Sequence, residues 1–194
     1  MTRTDIINRI AAKIGAESYL EIGARDGENF KMINCDYKLG VDPDPNSKAL
    51  ILQTSDFFFA FNKAKFDLVL VDGMHTEKQV ARDIQNSIKI LNDGGWIICH
   101  DMNPTEELQQ TEQYYGGAWS GTCWRAFVEL RRTRSDLYMA VVDTDYGCGI
   151  ITRGKQELLK VDEPLTYQLL ERRRRELLNL ISVQEFEKLM SEYI

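Results

Sequence analysis

The chain contains no apolar run approaching the roughly 18 residues a membrane helix needs, so nothing in it is expected to span a bilayer. It has no surplus of positive charge: Lys and Arg total 24 against 30 Asp and Glu, a net charge of -6, which counts against a nucleic-acid partner. Cysteine is scarce. Cys35, Cys99, Cys123 and Cys148 are scattered with no CxxC pair, which disfavours a disulfide framework and points to free thiols in a reducing cytoplasm. The opening stretch MTRTDIINRIAAKIGA lacks a continuous apolar core and a cleavage site, so it does not read as a signal peptide. There is no internal repeat and no low-complexity tract. Histidine occurs only twice, at His75 and His100.

What remains is 194 residues, 43% apolar and 28% charged, enough for one domain with a real core. Ile6, Ile7, Ile10, Ala11 and Ile14 fall at helical spacing, with Gly15 placed to end the helix. SYLEIG, YKLGVD, ALILQTS, FDLVLVD and WIICHD read as five strands, the fourth apolar on both faces after Asp67, as in a parallel sheet covered on both sides. A short helix from GENFKMI follows the first strand. A longer one carries Val80, Ile84, Ile88 and Leu91, with Thr76 and Gln79 as a capping box and Gly94-Gly95 as its stop. NPTEELQQ suggests a further helix, capped by Asn103 with Pro104 at its first position. CWRAFVELRR reads as another helix, and LYMAVVD and CGIIT as an antiparallel hairpin around TDYG. The expected architecture is a doubly wound, Rossmann-like α/β domain over residues 1–160. Its sheet is seven-stranded and mostly parallel with a terminal antiparallel hairpin, and residues 161–194 form a helical extension. The leucines of that extension supply apolar surface to pack on the sheet or to dock a second subunit as a homodimer. Arg172 to Arg175 point all around its helix as a solvated surface.

In such sheets ligands bind beyond the carboxyl ends of the strands. The first strand delivers Glu21, Gly23, Asp26 and Gly27, and the second delivers Asp42, 21 residues after Glu21. Glycines there permit close backbone approach, and an acid at position 42 is placed to take two ribose hydroxyls. The pattern is not GxGxxG. Its acids would repel a pyrophosphate but suit a cationic ligand such as a sulfonium bearing an ammonium group. The simpler alternative makes Gly23 and Gly27 turn glycines and Asp42 a strand-end cap.

The fourth and fifth strands end in Asp72-Gly-Met-His75 and His100-Asp101, so the two aspartates are expected to converge although 29 residues apart. Both histidines of the chain lie in these two motifs. Converging carboxylates are hard oxygen ligands suited to Mg²⁺ or Mn²⁺. His75 titrates near neutrality and could take the proton of an aliphatic hydroxyl, a poor nucleophile until deprotonated. His100 reads more simply as a hydrogen-bonded support for Asp101. The following YYGGAWSGTCWRAF brings Tyr114, Tyr115, Trp119 and Trp124 to the cleft mouth, with Gly116, Gly117 and Gly121 as the marks of a mobile lid. Phe127 and Val128 read as the buried face of a helix. Trp119 and Trp124 could serve either the core or an acceptor, and Arg125 either an anionic acceptor or a surface ion pair.

EIGARDG, VDPDP, QTSDFF, FDLVLVDGMH and LNDGGWIICHD, in this order over residues 19–104, resemble the motif series of class I S-adenosylmethionine-dependent methyltransferases. That resemblance implies Glu21, Gly23 and Gly27 at the methionine end, Asp42 at the ribose, Asp56 near the adenine amine, and Asp72 beside the cofactor. More narrowly, DGMH, LNDGG and CHD resemble sugar and polyol O-methyltransferases related to the metal-dependent macrolide-sugar enzymes. By position this implies Asp72 and Asp101 as metal ligands, with His100 as a candidate third ligand where those relatives carry another acid, His75 as base, and Trp119 and Trp124 at the acceptor. The implied reaction moves a methyl group to a hydroxyl of a small-molecule or saccharide acceptor. The alternatives are a small phenolic acceptor of the catechol kind, or a catalytically silent cofactor-binding protein of the same fold.

Overall fold

The computed structural model describes residues 1–192. Helix α1 (Arg3–Ile14) opens with a reciprocal capping box between Thr2 and Asp5 and closes at Gly15, whose φ of 63° is the left-handed conformation that glycine adopts without strain. Then come β1 (Ser18–Ile22), α2 (Glu28–Met32), β2 (Tyr37–Asp42), β3 (Ile51–Leu52), α3 (Ser55–Phe61), β4 (Phe66–Val71), α4 (Glu77–Ile90) and β5 (Leu91–Cys99). The chain continues through α5 (Cys123–Thr133), the hairpin β6 (Leu137–Val142) and β7 (Cys148–Arg153), α6 (Tyr167–Leu178), β8 (Leu180–Ile181) and α7 (Val183–Glu192).

One sheet runs in the order β3-β2-β1-β4-β5-β7-β6-β8. The strands β1 to β5 pair in parallel, β7 is antiparallel to β5 and β6, and β8 is parallel to β6. The period-two alternation of strand side chains splits the core into two layers. Leu20, Ile22, Val69, Val71, Ile97 and Cys99 face the layer covered by α4, α5 and α6. Tyr19, Leu68, Leu70, Trp96 and Ile98 face the layer covered by α1 and α7. Both layers are buried, so truncating a central residue such as Leu70 to Ala costs about 2–5 kcal/mol.

The expected α/β class, parallel centre and antiparallel hairpin are present, and several details differ. The sheet has eight strands, not seven, because the C-terminal segment adds β8 against β6. The stretch ALILQTS yields only the two residues of β3, and Thr54 caps an unforeseen α3 by accepting from Phe57 N. The pair Gly94-Gly95 does not stop α4. That helix ends at Ile90 and passes directly into β5, where a Cβ on Gly95 would lie 2.7 Å from the Asp67 carbonyl oxygen. Thr76 makes no side-chain capping bond, and Gln79 instead donates to Ser55, Asp56 and Asp83. Asn103 caps no α-helix. NPTEELQQ forms only a short 3-10 turn at Glu107–Gln110, and Asn103 is buried, donating to Asp143 and accepting from Arg174.

Residues of the extension pack back on the sheet: Leu177, Leu178, Phe186 and Met190 are fully buried, and Arg131 donates to the Leu177 carbonyl at 2.7 Å. Residues 193 and 194 of that extension lie outside the described residues. Arg172 and Arg173 pair with Glu163, and Arg175 with Glu185, so this basic run is largely neutralised on the surface. Arg174 turns inward to the Pro104 carbonyl. All four cysteines are free thiols. Among the described residues no helix is long and apolar enough to cross a membrane.

Candidate active site

A cleft of about 950 Å³ opens at the carboxyl ends of β1, β2, β4 and β5. Parallel strands that stop at the same level place their last residues side by side, which is why polar groups distant in sequence meet here. Gly23 follows β1 with φ 92°, and a Cβ on it would lie 2.1 Å from the Asp72 carbonyl oxygen. The glycine is therefore required by contact between two backbone turns, before any ligand is considered. Glu21 is buried and accepts from Tyr19 Oη at 2.5 Å and Asn29 Nδ2 at 2.9 Å. Burial pushes its carboxyl up to about 7 in spite of those two hydrogen bonds. Asp42 accepts from the Arg25 and Asp44 backbone N–H groups at 2.8 and 2.9 Å, one on each oxygen, which fixes the carboxylate's orientation. Gly27, at φ 73°, starts α2. Asp56 is half exposed at the far side of the cleft, paired with Arg82 at 3.3 Å.

Asp72 and Asp101 converge, with His75 between them and His100 linking them to a third acid, Asp145. His75 Nε2 is 3.4 Å from Asp72 Oδ1, and its Nδ1 is 3.5 Å from Asp101 Oδ2. His100 Nδ1 is 3.1 Å from Asp101 Oδ2 and 3.4 Å from Asp72 Oδ1, while its Nε2 is 3.5 Å from Asp145 Oδ1. Burial opposes charge on both rings, but the facing carboxylates outweigh it. His75 is raised by its hydrogen bond to Asp72 and by Asp101, and His100 is pushed up to about 12 by Asp101, Asp145 and Asp72. Burial would raise Asp72, yet the two histidines and Arg3 hold it far below the usual carboxylate range. Asp145 is held at about 2, chiefly by His100.

Trp119 stacks on His75 with ring centroids 5.0 Å apart, and Tyr114 meets Trp119 edge-on. Three contacts bind this segment to the turn after β4 and to Asp101: Thr122 N donates to the His75 carbonyl at 3.0 Å, Glu77 N donates to Thr122 Oγ1, and Ser120 Oγ donates to Asp101 Oδ1. Gly121 makes the approach feasible, since a Cβ there would fall 1.9 Å from the His75 carbonyl oxygen. Trp124 and Arg125 do not line the cleft. Trp124 is fully buried on the inner face of α5 beside Phe127 and Val128, and Arg125 is tethered to Gln110 at 2.9 Å.

Sequence reasoning passed over Arg3, Asp145, Tyr146 and Ser120. For Asp145 a signal existed. If β7 runs antiparallel to β5, with Cys99 opposite Gly149, the turn before β7 must lie at the carboxyl end of β5. Arg3 carries no such sign, because only the packing of α1 brings it to the cleft.

The donor atoms of Asp72, His75 and Asp101 all lie within 4.8 Å of one another, and those of His100, Asp145 and Cys148 form a second such group. The grouping around Asp72 and Asp101 thus includes His75, and His100 bridges it to Asp145.

Residues 43–102 match the family model described as "Methyltransferase domain". No curated protein matches the chain. Among solved structures, an O-methyltransferase from Bacillus cereus in complex with SAH aligns at 14% identity over 78% of this chain and 80% of that one, TM-score 0.55. The O-methyltransferase TomG from Streptomyces achromogenes, involved in tomaymycin synthesis and in complex with SAM, aligns at 15% identity over 76% and 78%, TM-score 0.56. The cofactor-bound protein Rv0187 from MTB aligns at 13% identity over 80% and 82%, TM-score 0.58. Residues 43–102 thus resemble a methyltransferase domain, and the chain shares the fold of these solved structures.

Proposed function

We propose that the protein transfers the methyl group of S-adenosylmethionine to a hydroxyl oxygen of a saccharide or similar polyol, with His75 as general base. The observation that carries this reading is the pairing of His75 with two carboxylates at the floor of the cleft, 3.4 Å from Asp72 and 3.5 Å from Asp101. The cofactor lies across Glu21, Gly23, Gly27, Asp42 and Asp56, its ammonium towards Glu21 and its ribose towards Asp42. The acids of this cleft complement a ligand that carries a sulfonium.

Asp72 receives the Nε2–H of His75, which fixes the tautomer and leaves Nδ1 as the basic atom. That nitrogen is buried and has no hydrogen-bond partner. The acceptor hydroxyl enters at Nδ1 and gives up its proton as its oxygen attacks the methyl carbon in line with the sulfur. The C–O bond forms, the C–S bond breaks, the electron pair returns to sulfur, and the proton stays on His75. The resulting imidazolium lies between two carboxylates, which raise the pKa of His75. Trp119 and Tyr114 present aromatic faces to the CH surface of a sugar. A planar phenol would stack there too, and remains the second acceptor class.

The same three donors also fit a divalent cation, since two carboxylates and an imidazole suit a first-row metal such as Mn²⁺ at least as well as Mg²⁺. Asp72, Asp101 and His75 would hold it, and it would acidify the acceptor hydroxyl. A histidine bound to metal cannot also take the proton, so the two readings separate. Transfer of labelled methyl to a panel of neutral sugars and catechols is expected to survive chelator. His75→Ala is expected to lower kcat by about 10²–10⁴-fold with the affinity for S-adenosylhomocysteine unchanged. Loss of activity in chelator, restored by Mn²⁺, would replace the base with the metal. Cofactor binding with no transfer to any hydroxyl, and no effect of His75→Ala, would leave a silent binding protein.

A further inference from the structure

The guanidinium of Arg3 stands in the cleft with one edge unpaired. Its backbone N–H donates to Asp145 Oδ2 at 2.8 Å. Its Nη1 lies 3.6 Å from the same carboxylate oxygen and 3.2 Å from His100 Nε2. These contacts all lie on the backbone and on the Nη1 side of the group. The opposite edge, formed by Nε–H and Nη2–H, is the fork that binds a carboxylate with two parallel hydrogen bonds. Nε is buried without a hydrogen-bond partner, because Asp72 Oδ2 at 3.6 Å is too distant for one. Nη2 has no partner among the described residues. An unpaired buried donor on a charged group is costly, and native structures seldom leave one without a reason.

The position of the fork indicates what it takes. Arg3 lines the same cleft as Glu21, Gly23 and Asn29. Glu21 provides the negative charge for an ammonium, and the amino-acid end of the cofactor carries a carboxylate on the same carbon. The cleft is otherwise acidic, lined by Glu21, Asp26, Glu28, Asp42, Asp56, Asp72 and Asp101, with Arg25 as the one other arginine or lysine among its lining residues. Arg25 is held on the ribose side, where its backbone N–H meets Asp42. Without a dedicated cation the ligand's carboxylate would sit unpaired in a field of like charge.

We infer that Arg3, carried into the cleft by the first turn of α1, binds the carboxylate of the methionine moiety through its Nε/Nη2 edge. With Glu21 it forms a two-point clamp on the α-amino-acid group. This assignment rests on the cofactor reading above. Binding also gives the buried Nε–H its missing acceptor, and it ties α1 to the closed site through Asp145.

The test is calorimetric and compares S-adenosylhomocysteine with its decarboxylated analogue on the full chain. The wild type is expected to bind the parent compound about 10- to 100-fold more tightly than the analogue, the size of effect a charge-assisted pair supplies. Arg3→Met is expected to lose that factor for the parent compound and to bind the analogue as the wild type does. Arg3→Lys, which keeps the charge but not the fork, should recover part of the preference. Because the analogue reports on the rest of the site, a misfolded variant is recognised by loss of both ligands, and the decision then passes to Arg3→Lys. Equal weakening of both ligands by Arg3→Lys, or an unchanged preference in Arg3→Met, would overturn the inference while leaving the cofactor reading intact. A wild type that binds neither compound would overturn both.

Discussion

Glu21 shows how much a single buried group can control. Its neighbours Tyr19 and Asn29 donate to the ionised form, yet desolvation keeps the folded value near 7. The native protein therefore holds a proton that the unfolded chain, titrating at the ordinary carboxylate value of 4.5, has already lost. This contribution to stability is complete below about 4.5 and is lost as pH rises through about 7. An ammonium ligand reverses the preference, because it stabilises the carboxylate. The affinity for S-adenosylhomocysteine is expected to rise with pH between about 6 and 8 and then level off, with a proton released on binding near pH 6. Calorimetry in buffers of different ionisation enthalpy reads this directly. Glu21→Gln should flatten the profile at weaker affinity, and a profile equally steep in that variant would assign the titration elsewhere. His75 has the corresponding signature in turnover. Its raised pKa means that the active, neutral form is lost as pH falls through a value above 6.5.

At the scale of elements, the site is made by loops that touch rather than by any one motif. Gly23 and Gly121 make the two tightest approaches among the described glycines, each with a backbone carbonyl oxygen about 2 Å from where a Cβ would stand. Gly121 is the more diagnostic. It brings Ser120 to Asp101, Thr122 to the His75 carbonyl and Trp119 over the imidazole. Gly121→Ala imposes both a left-handed φ of 59° and a clash, and is expected to cost about 1–3 kcal/mol if the segment stays docked. Undocking is the cheaper outcome. It would appear as a change in Trp119 emission and a fall in kcat, while α1, the sheet and cofactor binding persist. An unchanged spectrum and full activity would show that the segment does not bear on the catalytic pair. Polar residues at strand ends and a glycine-rich aromatic stretch were legible from the chain. That the stretch is pinned to His75 was not, since this depends on which carbonyl Gly121 meets.

The whole molecule is one α/β sheet to which the C-terminal segment belongs. Strand β8 pairs with β6, Phe186 and Met190 join the layer of α1, and Arg174 reaches back to the Pro104 carbonyl behind Asp101. Phe186→Ala is expected to lower the unfolding free energy by about 3–5 kcal/mol in urea titration, as for a central core residue. A change below about 1 kcal/mol would mean that the segment is dispensable packing. Because α1 shares its layer with α7, the same variant should weaken the placement of Arg3 and so the preference for a carboxylate-bearing ligand.

The sequence by itself determined the class of this protein, its alternating elements, and which residues would meet at the strand ends. Those follow from local rules: apolar period, glycine and proline punctuation, and the convergence of parallel strands at one edge. It also brought His75, Asp72 and Asp101 together in advance, because adjacent strands carry them. The tertiary structure decided the rest. It turned Trp124 into core and Arg125 away from the cleft, placed Asp145 against His100, added an eighth strand, and delivered Arg3 from the other end of the chain. Each depends on contacts between segments far apart in sequence, where packing and burial outweigh local propensity, and no periodicity within one segment encodes which distant surface it will meet.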